Sequence, residues 1–276
     1  MLLHRYFGSH ADTTLAEQRL LLATASSFND PFEFTYGFTG EYSIESALKD
    51  LQNFKMLLGS DRFASEFKKH LPLDLHTCFH DQSDMRLAAE FIVNNKVCAI
   101  ADPFHCQKWA DATFRICCFS KCEVDAHSEI LLWSHYAKSH QGIRIEFELN
   151  NQDFLYEVEY SSQRCKIDIC KSNSESYTNE ILLKSFRSKG LGWKYENEVR
   201  LILQKKDALK KPVPPGYRYY FPFKPEDVRC VDFGIKCSLE TIKKIKTIID
   251  SGYPHVKMRQ AVHHKEDFAI DYQLIR

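Results

Sequence analysis

The sequence lacks any apolar run long enough to cross a bilayer, and its first residues lack the basic-then-apolar order of a signal peptide. We therefore expect a cytoplasmic protein with no membrane partner. Neither sign of charge is in surplus, because 37 Lys and Arg residues balance 37 Asp and Glu residues. A neutral chain has no global field that would draw it to nucleic acid, although a local basic groove stays open.

The ten cysteines include no C-x-x-C pair. That absence argues against a zinc ribbon, and the scattered spacing argues against a disulfide framework. Most of the cysteines are expected to be small buried residues. Cys78 with His80, and Cys118 with Cys122, offer isolated ligand pairs. Because neither is accompanied by a second pair at ligand spacing, the sequence predicts no metal.

An internal repeat, a low-complexity tract and an obvious linker are also absent. Strand-like apolar runs occur near both ends of the chain, whereas apolar residues at three- and four-residue spacings dominate the segment between them. At 276 residues the chain is long enough to bury a substantial core. The pattern predicts a single α+β domain over residues 1–276, with a helical insertion at about 43–112.

The stretch from Trp193 to Leu203 carries the most informative pattern. As an extended strand it places Glu196, Glu198 and Arg200 on one face and mainly apolar side chains on the other. Such a charged face is either the floor of a site, where paired carboxylates divide acid and base roles, or a salt-bridged wet surface. In the second case Arg200 neutralises Glu198.

Residues 28–33 combine turn-forming polar residues with aromatic ones. Asn29 and Asp30 precede a proline and lie between phenylalanines. This arrangement predicts a firmly anchored loop that presents both side chains at a fixed angle. A plain Asx-type turn explains the same residues.

Residues 131–140 have a helical pattern, and Gly142 provides the stop signal. Trp133 and Tyr136 lie three residues apart, so they are either part of the core or a stacking surface. His135 and His140 are candidate acid–base groups or hydrogen-bonded surface residues.

Four motifs, taken in order, resemble a bacterial family catalogued as domain of unknown function 2971. They are Phe28-Asn-Asp-Pro-Phe-Glu33; Cys118-Phe-Ser120; Trp133-Ser-His-Tyr-Ala137 with His140-x-Gly142; and Lys189 leading to Trp193-x-Tyr-Glu-x-Glu-x-Arg200. The resemblance runs through most of the chain and implies no particular activity.

The order of parts also resembles the ADP-ribosyltransferase superfamily. That resemblance implies a mixed, split β-sheet and NAD as substrate. The residues at matching positions are Arg5 or His4 on the first strand, Ser134 and Tyr136 in the central segment, and Glu196 and Glu198 on the late strand.

On this resemblance, Glu198 would stabilise the oxocarbenium-like ribose as nicotinamide leaves, and Glu196 would orient or deprotonate the acceptor. Arg5 would hold the diphosphate, and Tyr136 or Trp133 would stack against nicotinamide. The implied NAD-binding residues are Arg5, His4, Asn29, Asp30, Trp133, Ser134 and Tyr136.

The expected activity is therefore ADP-ribosyl transfer from NAD to an unidentified protein or nucleic acid, in phage defence or as a toxin. A nucleic-acid-binding or nuclease-like defence protein is an alternative, because several tyrosines accompany lysines at 205, 206, 210 and 211 and a helix with lysines at 243, 244 and 246. A non-catalytic sensor or scaffold is a third. A cleft shared by Asn29, Arg5, Tyr136 and Glu198 favours the enzyme, whereas a basic strip remote from them favours binding.

Overall fold

The computed structural model describes residues 1–35, 37–39, 43–58, 82–94, 110–150, 152–168, 180 and 183–275. The chain divides into two compact units. The first comprises residues 1–33, 110–163 and 187–276, and the second comprises residues 34–109 and 164–186. Compact units do not by themselves show whether each part folds alone, so a single domain stays a prediction.

Helices and strands are mixed along the chain, as the sequence predicts. The helices are α1 (Ala11–Glu17), α2 (Ile44–Leu58), α3 (Gln82–Asn94), α4 (Ala126–Tyr136) and α5 (Leu239–Gly252). The strands are β1 (Leu2–Phe7), β2 (Arg19–Leu22), β3 (Gly37–Thr39), β4 (Phe114–Lys121), β5 (Ile143–Glu148), β6 (Leu155–Glu157), β7 (Glu159–Ser161), β8 (Lys166–Asp168), β9 (Ser188–Gly190), β10 (Glu198–Gln204), β11 (Leu209–Val213), β12 (Gly216–Pro222), β13 (Val228–Phe233), β14 (Lys257–His263) and β15 (Ile270–Leu274).

The first unit contains an eight-stranded sheet in the order β15-β14-β13-β5-β1-β4-β10-β6. Its pairings are antiparallel except that between β13 and β14, so the sheet is mixed. The first strand of the chain, β1, lies between β5 and β4. A three-stranded sheet, β11-β12-β2, and the parallel pair β7-β9 also belong to this unit.

One face of the eight-stranded sheet packs into the apolar core. Strand residues such as Leu3 and Phe147 alternate with polar neighbours and turn the same way. Leu15 of α1 and Ile245 of α5 belong to the same buried cluster. The two helices therefore cover this face through their apolar stripes.

The opposite face carries a row of polar residues in register. His4 is paired with Glu146 of β5 and with Ser120 of β4, and Ser120 is paired with Glu198 of β10. Residues directly opposite each other in paired strands project from the same face of a sheet. We call the four residues His4, Glu146, Ser120 and Glu198 the polar row.

Helix α4 packs on the face that bears the polar row. The Asp125 side chain caps its first turn by accepting from the backbone N–H of Ser128 at 2.9 Å. Three consecutive residues, 138–140, then adopt positive φ values of 49°, 53° and 65°. The chain enters β5 at Gly142, where a Cβ atom would lie 2.0 Å from the carbonyl oxygen of Phe7.

The stretch predicted as one strand from Trp193 to Leu203 is divided, which corrects the prediction. Residues Leu191–Glu196 form a 3₁₀ helix, and β10 begins at Glu198. Asn197 joins them with a left-handed φ of 44°, a conformation that asparagine adopts more readily than most residues. Glu196 therefore does not lie on the strand, and the predicted alternation holds from Glu198 onward.

In the second unit, α2 and α3 lie in the segment predicted to be helical, and β3 pairs in parallel with β8. Much of the remaining predicted insertion, including residues 59–81 and 95–109, lies outside the described residues. Among the helices that the structure describes, none is long and apolar enough to cross a membrane.

Candidate active site

A cavity of about 180 Å³ lies beside the polar row in the first unit. Six of its lining residues, His4, Arg5, Asn29, Tyr136, Glu196 and Glu198, are candidates from the sequence. The remaining lining residues are Tyr6, Phe28, Cys118, Phe119, Ser120, Leu132 and Lys189. The loop of residues 28–33, helix α4 and the turn before β10 are thus brought to one place.

Lys189, on β9, connects three carboxylates. Its Nζ lies 2.6 Å from Oε2 of Glu196, 3.0 Å from Oε2 of Glu198 and 3.2 Å from Oε1 of Glu33. Burial alone would lower the pKa of Lys189, but the three anions raise it well above its usual value. The ammonium group is consequently charged at any physiological pH.

Arg200 holds Glu198 from the other side. Its Nε donates to Oε1 of Glu198 at 2.8 Å and its Nη2 to Oε2 at 3.0 Å, and Nη2 also pairs with Oε2 of Glu33. Burial favours the neutral acid of Glu198, but the charges of Arg200 and Lys189 outweigh it and lower the pKa to about 2. Glu198 therefore remains ionised at neutral pH.

Glu196 is shifted in the opposite sense. Burial raises its pKa above the usual value, even though Lys189 and the Tyr136 hydroxyl both donate to it. The negative charge of Glu198 raises it further. Two carboxylates that line one cavity and share one lysine thus differ in proton affinity, the arrangement expected of an acid–base pair.

The charges in this cluster do not balance. Three carboxylates, of Glu33, Glu196 and Glu198, face two cations, of Lys189 and Arg200, so one negative charge is in excess when all five groups are ionised. All five residues are buried. Three of the five, Lys189, Glu196 and Glu198, line the cavity, and a negative excess beside it favours a ligand that carries or develops positive charge.

Arg5 does not reach the carboxylates. Its Nη1 donates to Sγ of Cys117 at 2.6 Å and to the carbonyl oxygen of Cys118 at 2.8 Å. Cys117 belongs to the apolar core, and successive strand residues point to opposite faces. The guanidinium group is thus turned away from the polar row although Arg5 also lines the cavity, and its diphosphate-binding role stays a prediction.

Three predicted binding residues lie outside the cavity lining. Asp30 accepts from the backbone N–H two residues later at 2.9 Å, which is an Asx-type turn. Ser134 is hydrogen-bonded to His140 at 3.0 Å. Trp133 is fully buried, and its Nε1 donates to the hydroxyl of Tyr272 at 3.0 Å. Their contacts stabilise the loop of residues 28–33 and helix α4, which carry residues of the cavity lining.

Sequence reasoning missed the roles of Glu33 and Lys189. Both residues stand in the motifs quoted above, Glu33 at the end of the aromatic loop and Lys189 ahead of the late stretch. A charged residue inside an otherwise aromatic motif is a signal for a buried ion pair, because such a charge must find a partner. Neither partner could be named without the fold.

The lysines at 205, 206, 210 and 211 lie on a strand or just before it. Residues Leu209–Val213 form β11, which pairs with β12. Lys210 Nζ lies 3.8 Å from the ring centroid of Tyr217, and Lys205 Nζ lies 5.5 Å from that of Tyr219. Lys210 and Tyr217 are exposed. The hairpin thus presents lysines over tyrosine rings.

One family, described as Protein of unknown function (DUF2971), has a model that matches residues 132–201. The matched range contains Lys189, Glu196, Glu198 and Arg200, and so most of the buried charge cluster. This similarity supports the resemblance to a family of unknown function and assigns no activity. No curated protein and no solved structure matches the chain.

Proposed function

We propose that the chain is an NAD-dependent ADP-ribosyltransferase-like enzyme whose cavity receives the nicotinamide riboside end of NAD. The supporting observation is the pair Glu196 and Glu198, which line one cavity, share Lys189 and have pKa values moved in opposite directions. Asn29 and Tyr136 line the same cavity, as expected for an enzyme of this kind.

The proposed reaction breaks the bond between ribose C1 and the nicotinamide ring nitrogen. The bonding electrons leave with nicotinamide, and positive charge develops on the ribose. Glu198, ionised at neutral pH, stabilises that charge electrostatically. Glu196 accepts the proton that the acceptor loses as it bonds to C1, a role suited to a carboxylate with a raised pKa.

We infer from the size of the cavity that only one end of NAD enters it. Its volume of about 180 Å³ is smaller than the roughly 300–1,000 Å³ of sites that enclose a drug-sized ligand. Aromatic rings of Phe28, Tyr6 and Tyr136 line it and offer flat surfaces to a nicotinamide ring. On this proposal the diphosphate lies outside the cavity.

The test is to incubate the protein with NAD labelled in its adenosine part and with candidate protein and nucleic-acid acceptors. Nicotinamide release and label transfer are measured for the wild type, Glu198→Gln and Glu196→Gln. We expect Glu198→Gln to lower the rate by about 100-fold or more, since a preorganised charge at the reacting centre is removed. Glu148→Gln, which changes an exposed carboxylate paired with Arg229, should leave the rate unchanged.

Circular dichroism and thermal melting would establish that each variant is folded before rates are compared. The proposal fails if no nicotinamide is released by the wild type, or if folded Glu198→Gln and Glu196→Gln both match it. The proposed biological role has its own readout. Expression of the wild type should deplete cellular NAD and arrest growth or block phage, and Glu198→Gln should do neither.

The β11–β12 hairpin favours nucleic-acid binding as a second candidate function. Lysine ammonium groups above exposed tyrosine rings can contact phosphates while bases stack nearby. Reversing two charges, Lys210→Glu with Lys211→Glu, should abolish salt-sensitive binding of a fluorescent single-stranded oligonucleotide. Lys257→Glu with Lys265→Glu, two exposed lysines outside the candidate basic segments, is the matched control, and equal binding by both variants would exclude the hairpin.

A further inference from the structure

A second group of side chains converges at the other end of the polar row. His4 on β1 and Glu146 on β5 are directly opposite each other, and Cys122 follows the last residue of β4. One nitrogen, one oxygen and one sulfur atom from these residues all lie within 4.8 Å of one another. We propose that His4, Cys122 and Glu146 form a binding site for a zinc ion.

The spacing suits a single tetrahedral ion. Zinc lies about 2.0–2.1 Å from histidine nitrogen, about 2.3 Å from cysteine sulfur and about 2.0–2.2 Å from carboxylate oxygen, so its donors stand roughly 3.3–3.8 Å apart. His4 Nε2 and Glu146 Oε2 are 3.3 Å apart. The three donor atoms lie within 4.8 Å of one another, so the proposed site needs only a small closure of the side chains around the ion.

The donor set selects the metal class. A thiolate with an imidazole is preferred by zinc and other borderline-soft ions, whereas calcium and magnesium take oxygen ligands. Three protein ligands leave the fourth tetrahedral position to water or an anion, which is the pattern of zinc sites open to exchange. His4 also lines the cavity, so the zinc site and the cavity share a wall.

His4 meets Glu146 through a weak contact. His4 is only 5% exposed, and its Nε2 lies 3.3 Å from Oε2 of Glu146, which is long for a hydrogen bond. A metal ion between the ring and the carboxylate replaces one weak contact with two coordinate bonds, so little is lost on binding.

The charges around the proposed site are compatible with a bound divalent cation. Arg144 is bound by Asp232 and Glu129, and Arg259 donates twice to Asp232, so these two cations and two anions neutralise each other. Glu146 and exposed Glu123 remain as negative charge, and Cys122 adds a thiolate when a bound metal ion displaces its proton. A divalent cation offsets that charge without breaking a strong ion pair.

The test uses metal-free full-length protein titrated with Co²⁺, which replaces zinc and is coloured. Binding should give a near-ultraviolet thiolate-to-cobalt charge-transfer band that saturates at one equivalent and is displaced by Zn²⁺. Cys122→Ser should lose this band. Cys237→Ser, which removes another partly exposed thiol, should keep it.

A second variant tests the site even if Cys122→Ser does not fold. Glu146→Gln keeps the shape of a partly exposed side chain, and it should weaken Zn²⁺ affinity about tenfold or more while the protein stays folded. Absence of the charge-transfer band in the wild type, or its survival in Cys122→Ser, would overturn the proposal. Because the titration contains no NAD, the result is independent of the proposed transferase activity.

Discussion

Arg200 and Glu198, two residues apart on β10, form a bidentate ion pair that is closed to solvent. Two guanidinium nitrogens donate to the two carboxylate oxygens at 2.8 and 3.0 Å, and Arg200 is 0% exposed. Residues i and i+2 of a strand share a face, and their side chains meet here over the partner strand. The pair fixes the carboxylate orientation that the proposed chemistry requires.

The first prediction concerns acid sensitivity. The pKa of Glu198 lies near 2 in the folded chain instead of the usual 4.5, so Glu198 adds stability above pH 4.5 that is lost as pH falls towards 2. A lowering of this size corresponds to on the order of 3 kcal/mol. The unfolding free energy of wild type minus that of Glu198→Gln should therefore be larger at pH 6 than at pH 3, measured by urea titration.

Glu33 and Glu196 act in the reverse sense, because burial raises their pKa values. Their ionisation opposes folding, so their protonation on acidification adds relative stability. Glu196→Gln should accordingly gain stability relative to wild type as pH rises. A difference for Glu198→Gln that is the same at pH 6 and pH 3 would contradict the assignment of its low pKa.

The second prediction concerns Tyr136→Phe. The hydroxyl of Tyr136 donates to Glu196 and favours the ionised carboxylate, so its removal should raise the pKa of Glu196 further. The limb of the pH–rate profile that belongs to Glu196 should move to higher pH and vanish in Glu196→Gln. Tyr156→Phe, which loses a bond to the exposed Asp153 carbonyl, should leave the profile unchanged.

The third prediction concerns the close backbone approach at Gly142. Alanine there would place its Cβ 2.0 Å from the Phe7 carbonyl oxygen, and at Gly234 it would place one 2.2 Å from the His140 carbonyl oxygen. Each substitution should destabilise the protein by about 3 kcal/mol or more, at the upper end of overpacking costs. Gly192→Ala, with no atom within 4 Å of the new Cβ, is the control for thermal melting.

The fourth prediction concerns the second buried charge group. Asp232 is 0% exposed and accepts hydrogen bonds from both Arg144 and Arg259. Asp232→Asn should cost about 3–5 kcal/mol, because two guanidinium groups lose their shared anion. Glu148→Gln breaks the exposed pair with Arg229 and should cost less than about 1 kcal/mol. Equal losses of unfolding free energy in the two variants would show that burial does not determine how much these ion pairs contribute to stability.

The sequence was sufficient to predict the mixed α+β class and a helix ahead of Gly142, although that helix ends at Tyr136 and not at residue 140. It failed between Trp193 and Glu196, where alternating aromatic residues look like a strand but form a 3₁₀ helix. The length of the partner strand decides the difference. β4 ends at Lys121, whose N–H bonds to Asn197, so no further residue of β4 is available to pair with Glu196.

The sequence predicted only part of the candidate site, because a local pattern does not show which distant residues the fold brings together. Glu196 and Glu198 could be named because acidic residues two apart are visible in any local reading. Lys189 precedes them by seven and nine residues, and it reaches them only because β9, the 3₁₀ helix and the left-handed Asn197 fold back together. Glu33 is more than 150 positions away along the chain, beyond any local pattern.

The polar row also determines the register in which the strands pair. A shift of β1 by one residue against its neighbours would exchange the two faces of the strand, driving His4 into the aliphatic interior and Leu3 among carboxylates. The same slip of β4 would separate Ser120 from both His4 and Glu198. A shifted register therefore leaves charged side chains buried without partners. The residues of the proposed sites thus also favour the observed register of the sheet.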